Sequence, residues 1–138
     1  LTTYSDVRAC LQIQAATASG FPTQVSYEGA LFTSTIGTPW AKLKLLPVDD
    51  GPFSVSGAIR YAYGLFQVDV NYPARGSPGT LTVEQAADNV IAVFKPGTHL
   101  ESGSTLVTID RAKRGPIIIS EDWLCLPVTI SWRSYPNA

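Results

Sequence analysis

His99 is the only histidine in the chain, so any Ser-His-Asp or Cys-His pair has to run through it. It follows Pro96-Gly97-Thr98, a loop-forming run, and no serine stands in a Gly-x-Ser-x-Gly elbow. His99 is therefore expected on a surface loop, with a small hydrolase built around it as the enzymatic alternative. Adjacent carboxylates occur at Asp49-Asp50 and Glu121-Asp122. Neighbouring acids in turns are usually solvated turn formers. Asp49-Asp50-Gly51 lacks the alternating oxygen ligands and closing acid of a calcium loop. A carboxylate pair for glycoside hydrolysis depends on a spatial separation that sequence does not reveal. Gly76-Ser77-Pro78-Gly79-Thr80 lacks the Gly-Lys-Ser/Thr ending of a phosphate loop and reads as a turn into a helix cap. Cys10 and Cys125 each sit among apolar residues without a partner at ligand spacing. They read as free buried thiols, with a disulfide as the alternative. No catalytic, cofactor-binding or metal-binding residue is assigned, and no cofactor is expected.

What remains is charge. Arg111-Ala112-Lys113-Arg114-Gly115 is the one cationic cluster, expected in a turn between two strands. It is either a solvated hairpin tip or an interface or DNA-facing contact, because three cations at one tip repel unless countered or spread around a lumen. Tyr61, Tyr63 and Phe66 share a strand and suggest base stacking. Only Arg60 accompanies them as a basic residue, and core packing is the preferred reading.

The elements that must position these residues come next. At 138 residues the chain suits one domain, 1–138, able to bury a core without staples. Hydrophobic residues make up 45%, which predicts a folded state, and charged residues only 15%, which leaves a neutral surface suited to cover by neighbouring subunits. A net charge of −1 gives no global case for nucleic acid or anionic membrane. No apolar run approaches the roughly 20 residues of a membrane span. Leu1–Asp6 has neither the basic start nor the apolar core of a secretory leader, and a leading Leu without Met suggests that residues precede it.

A first helix is expected over Ser5 to Ala18, with Val7, Cys10, Leu11, Gln14, Ala15 and Ala18 on one face and a stop at Gly20 and Pro22. A short strand at Gln24 to Tyr27 leads to a polar loop, Glu28 to Pro39. The strand Trp40 to Leu46 alternates: Ala41, Leu43 and Leu45 face one way, Lys42 and Lys44 the other. Pro47 to Ala58 reads as a loop. The strand Ile59 to Tyr72 changes its apolar face after Gly64, which predicts a bulge or bend there; Pro73 to Gly79 turns the chain. A second helix, Thr82 to Phe94, has a capping box at Thr82 and Gln85 and a stripe of Val83, Ala86, Ala87, Val90, Ile91 and Phe94. Strands at Thr105 to Ile109, Ile117 to Ser120 and Trp123 to Trp132 complete an α+β domain, a mixed or antiparallel sheet in the order α-β-β-β-α-β-β-β. Pro127 places the last strand at an edge, or itself at a non-bonded position.

Together these segments resemble the tail terminator proteins of long-tailed, lambda-like bacteriophages. The resemblance rests on the helix opening Tyr4-Ser5-Asp6-Val7-Arg8, on Trp40-Ala41-Lys42-Leu43-Lys44-Leu45-Leu46-Pro47 and on Arg60-Tyr61-Ala62-Tyr63-Gly64-Leu65-Phe66-Gln67-Val68-Asp69-Val70. A Pro/Gly turn, an amphipathic helix and a closing strand with Leu126-Pro127-Val128-Thr129-Ile130 come after these. It implies a sheet with two helices packed on it and a homo-oligomeric ring, hexameric, that caps the tail tube, stops its growth and docks the head connector. It also implies passage of genomic DNA through the lumen without sequence-specific binding. The implied location is the virion head-tail junction, and the host cytoplasm during assembly; no membrane is involved. The family supplies no site to transfer residue by residue. Lys42, Lys44, Asp49, Asp50, Arg111, Lys113 and Arg114 are expected at a subunit or lumen interface on their charge and placement alone. The alternatives are another neck or head-completion protein of the same particle and a secreted ligand-binding module with a Cys10–Cys125 disulfide.

Overall fold

The computed structural model describes residues 4–35, 37–52, 60–74, 80–102 and 105–136, with backbone alone for 4, 47–52, 60, 61, 135 and 136. Helix α1 (Tyr4–Ala16) precedes strands β1 (Gln24–Ser26), β2 (Trp40–Pro52) and β3 (Arg60–Pro73). Helix α2 (Leu81–Val93) is followed by β4 (His99–Ser102), β5 (Thr105–Arg114), β6 (Ile118–Ile119) and β7 (Trp123–Pro136). The strands form one seven-stranded sheet in the order β1-β2-β3-β7-β5-β4, and β6 pairs with β7 where β5 has ended. β1 runs parallel to β2; every other pair is antiparallel. The expected fold class is what forms, with the short edge strand β4 in addition.

Alternation explains which face carries the helices. On β3 and β7 the buried apolar residues are all even-numbered, among them Phe66, Val68, Val70, Leu126, Val128 and Ile130. On β2 the odd-numbered Ala41, Leu43 and Leu45 are buried. Directly opposed residues share a face, so these positions form one continuous apolar surface. Val7, Leu11 and Ala15 of α1 and Val83, Ala87 and Val90 of α2 close over it in a single cluster. Gln14 donates from Nε2 to the carbonyl of Val93 at 2.7 Å, fastening α1 to the last turn of α2. Gly97, at φ 85°, turns the chain from α2 into β4, and its N–H donates to the Ile109 carbonyl at 2.8 Å.

Several boundaries differ from the expectations. The Pro47 to Ala58 loop is strand as far as Pro52; 53–59 lie outside the described residues, as do Ile36 and most of the expected 73–79 turn. The bulge lies on β2, between Pro47 and Asp49, and Pro47 is the residue paired with Gly64. β3 itself does not change face: Ala62, Phe66, Val68 and Val70 are all buried, whereas Tyr63 is exposed. Of the three aromatics assigned to the core, Phe66 is there and Tyr63 is not, while the Tyr61 side chain lies outside the described residues. Gly64 stands opposite Trp132, the largest fully buried side chain; an aromatic ring beside a glycine is a known way to fill a strand position that has no side chain.

Helix α2 starts at Leu81 with Thr80 as N-cap, so Thr82 lies inside the first turn and the Thr82–Gln85 capping box does not form; Thr80 makes no side-chain cap bond either. β7 is a central strand. Pro127 sits on it where its carbonyl accepts the Gly115 N–H at 2.8 Å. In an antiparallel ladder a residue's N and O point to the same neighbour, so the missing N–H of Pro127 faces the break between β5 and β6, the expected non-bonded position.

The margin formed by β2 is closed to further strands. Beyond Lys42, where β1 stops, the outward N–H of Leu45 donates to Glu28 Oε1 at 2.6 Å, and Arg8 Nη1 reaches the same oxygen at 2.8 Å. Two residues on, Pro47 faces the same way with no N–H to offer, and the bulge comes next. Proline, bulges and charged groups are the usual protections of a sheet edge.

The two thiols are free. Cys10 lies on α1 against the inner face, while Cys125, odd-numbered on β7, lies on the outer one, so the sheet separates them. Burial, then the Asp6 carboxylate, raises the Cys10 pKa. Burial, then Asp69, pushes Cys125 up to about 11.

Ellman titration without reductant should find two thiols per denatured chain and almost none reacting in native protein at pH 8; a count of zero after denaturation contradicts the arrangement. The Glu28 carboxyl is held below the usual glutamate range, first by the Leu45 N–H and then by Arg8. A carboxyl whose pKa folding depresses adds stability that is present above its unfolded pKa and is lost as pH falls through the folded one. Glu28→Ala should therefore cost about 1 kcal/mol at pH 7, allowing for partial exposure. In urea melts the gap from wild type should narrow once pH drops below the ordinary glutamate range.

Candidate functional site

Both helices occupy one face, and among the described residues no helix packs over the other across the central strands. Its composition is set by register. Lys42 of β2 stands opposite Asp69 of β3, which stands opposite Pro127 of β7. The next row on that face is Lys44, Gln67, Thr129 and Lys113, and the next is Leu46, Leu65, Ser131 and Arg111. Lys42, Lys44, Arg111 and Lys113 therefore share one face as two cationic rails on β2 and β5. About 14 Å separates the rails, three strand spacings. All four are exposed, and none forms an ion pair among the described residues. Between the rails the floor is short and largely uncharged, and Gln67 donates to Asp69 Oδ1 at 2.8 Å.

The basic cluster is therefore not a hairpin tip. β5 continues to Arg114 because a bulge between Ile109 and Arg111 takes up one residue, and β7 is long enough to pair with the residues beyond the bulge. The bulge also resets the alternation. Arg111 and Lys113 emerge on the open face, whereas Arg114 pairs with Val128 on the helix side and lies 3.7 Å from Glu84 of α2. Asp110, the extra residue, accepts from Arg133 Nε at 2.8 Å. Arg114 thus leaves the group of cations that the sequence placed together. Asp49 and Asp50 stand on β2 past its bulge, opposite Tyr63 and Ala62.

The aromatic end of this face was not evident from the sequence. Trp40 lies 5.1 Å from Phe32, centroid to centroid, and edge-on to Trp123 at 6.0 Å. The row through Trp40 continues to Asn71, Cys125 and Ile118. Trp40 opening an alternating strand was the available signal; that Phe32 and Trp123 meet it depends on long-range pairing.

Reactive chemistry finds little support here. His99 begins β4 instead of lying in a loop, and remains on the surface, its Nδ1 3.0 Å from Thr108 Oγ1. Among the described residues no group of three or more His, Cys, Asp or Glu side chains could hold a metal. With pKa values raised by burial, neither thiol is a ready nucleophile at neutral pH. The open face is suited to contact with an anionic or polar surface.

A family described as phage tail terminator protein matches residues 6–132. Eight solved chains share the fold. One of them is 18% identical in sequence and superposes with a TM-score of 0.72 over 97% of this chain and 96% of its own. No curated protein matches in sequence. The chain belongs to the phage tail terminator family: it is a structural virion protein and not an enzyme, and it caps the tail tube at the head-proximal end of the particle as part of an oligomeric ring.

Proposed function

We propose that this single-domain subunit closes into a hexamer in which the open sheet face lines the channel and the helices lie outside. One end of the strands then meets the tail tube protein, stopping its polymerisation, and the other meets the head connector. Genomic DNA passes along the sheet face. The observation that carries this reading is the sheet face opposite the helices, with Lys42, Lys44, Arg111 and Lys113 on two rails. Lysines and arginines on a sheet face neutralise phosphates whatever the base sequence. The floor is short-chained, and its one described acid, Asp69, is engaged by Gln67, which suits a duplex that must slide.

Native mass measurement with particle imaging tests the ring, and mixing the protein with growing tail tubes tests the cap. Expected are six-fold rings, and tubes that carry protein at one end and cease to lengthen. A protein that leaves tube growth unchanged and binds the head vertex instead would be a neck component. Duplex DNA should bind the ring weakly, with log affinity falling against log salt by roughly 0.9 per phosphate neutralised. A Lys42→Gln/Lys44→Gln ring should flatten that slope. An unchanged slope removes the face from the channel.

A further inference from the structure

Resting on the ring reading above, we propose that the contact between neighbouring subunits joins the two opposite margins of the sheet. The β6 margin, with Ile118, Ile119 and the β5 cations, would dock on the β1–β2 margin of a second copy, with Tyr27, Leu31, Asp49 and Asp50.

Single exposed apolar residues are ordinary on a protein surface. These differ in where they fall. Ile118 and Ile119 form the whole of β6 and are 56% and 72% exposed. On the opposite side, Tyr27 directly follows β1 and is 46% exposed. Leu31, fully exposed, adjoins Phe32, whose ring packs on Trp40. Trp40 and Ile118 are the two ends of one row, through Asn71 and Cys125. Leu31, beside Phe32 and Trp40, therefore stands near the level of Ile118 at the opposite margin, while Tyr27 lies three residues past Gln24, the β1 residue paired with Trp40, toward the rows that hold the cations.

A second match occurs further along. Arg111 ends the row that begins at Leu46, and Lys113 ends the row that begins at Lys44. Past the β2 bulge, the next residues to pair with β3 are Asp49 and Asp50. Asp49, paired with Tyr63, stands one same-face row past that of Arg111 and two past that of Lys113, while Asp50, paired with the buried Ala62, takes a helix-side position. Apolar thus meets apolar and cation meets acid in the same order, both displaced the same way along the strands by up to about two rows. A neighbour generated by rotation about an axis inclined to the strands makes both contacts at once. A two-fold dimer through either margin would instead set Arg111 and Lys113, or Asp49 and Asp50, near their own copies, and like charges repel. Contacts between two different surfaces close into rings.

The docking is by side chains and not by strand addition. Glu28, Pro47 and the bulge close the β2 ladder, and β6 offers only two residues.

The experiment breaks one margin at a time in the full chain. Ile118→Glu/Ile119→Glu spoils the β6 margin and Tyr27→Glu/Leu31→Glu the other, with far-UV circular dichroism confirming the fold and native mass spectrometry reading assembly. Each variant alone should be a monomer. Mixed in equal amounts, they retain one intact margin each of opposite kind, so they should form a one-to-one dimer and nothing larger. A misfolded variant could not do this. As an independent arm, Arg111→Glu/Lys113→Glu should weaken the ring at least tenfold, and adding Asp49→Lys/Asp50→Lys should restore it. The pairing is overturned if wild-type rings form and either apolar variant still assembles, if the mixture stays monomeric, or if the charge exchange restores nothing. A wild type that is monomeric both alone and on tube ends fails the ring reading itself and takes this inference with it.

Discussion

The antiparallel pairing of β3 with β7 is the constraint on which the rest of the molecule hangs. It runs without a break from Ala62 opposite Ser134 to Pro73 opposite Trp123. These two strands are far apart in sequence, so their pairing carries the loop-closure cost of everything between them. What offsets that cost is apolar burial: Phe66, Val68 and Val70 on one strand and Leu126, Val128, Ile130 and Trp132 on the other are buried nearly completely. Since side chains alternate with a period of two, a slip of one residue would turn this entire set to the open face. The register is therefore held by the same burial that holds the strands together.

Everything lateral is built outward from that pair, and each margin ends differently. On one side β2 pairs with β3, then bulges at Val48 opposite the step from Gly64 to Tyr63, and its remaining ladder is closed by Glu28 and Pro47. On the other, β5 pairs with β7, bulges at Asp110, and stops where Pro127 can no longer donate. The bulges do more than shape the edges. The one in β5 decides that Arg111 and Lys113 share a face with Lys42 and Lys44 while Arg114 turns to Glu84. An assembly subunit needs faces that differ from one another, and in this protein the differences come from where two long strands lose their partners.

Much of this architecture was legible in the residues. The apolar stripes of both helices, the alternation of Trp40 to Leu46 with its outward lysines, and the even-numbered apolar run of the last strand all arise from local periodicity, and all appear in the fold. The scarcity of reactive residue types was legible too: the chain has one histidine and two cysteines. Strand ends were less so. Pro47, Gly51 and Pro52 are turn-forming types, yet β2 runs through them because β3 extends beside them; neighbouring backbone outweighs local propensity. The same holds for Arg111 to Arg114, a polar run that reads as a turn and is strand because β7 is long enough to pair with it.

Sequence alone determined the two helices and the strands other than β4, the inward and outward faces of β2 and β7, and the family. Those depend on short-range periodicity and on residue identity, which are present in any stretch of chain. Only the tertiary structure decided that four cations from β2 and β5 lie on one face, that Arg114 does not join them, and that Trp40 and Ile118 end the same row. Those facts depend on register across β3 and β7 and on two bulges. Register is a property of strands distant in the chain, set by the shared burial of their inner faces, and no local pattern contains it.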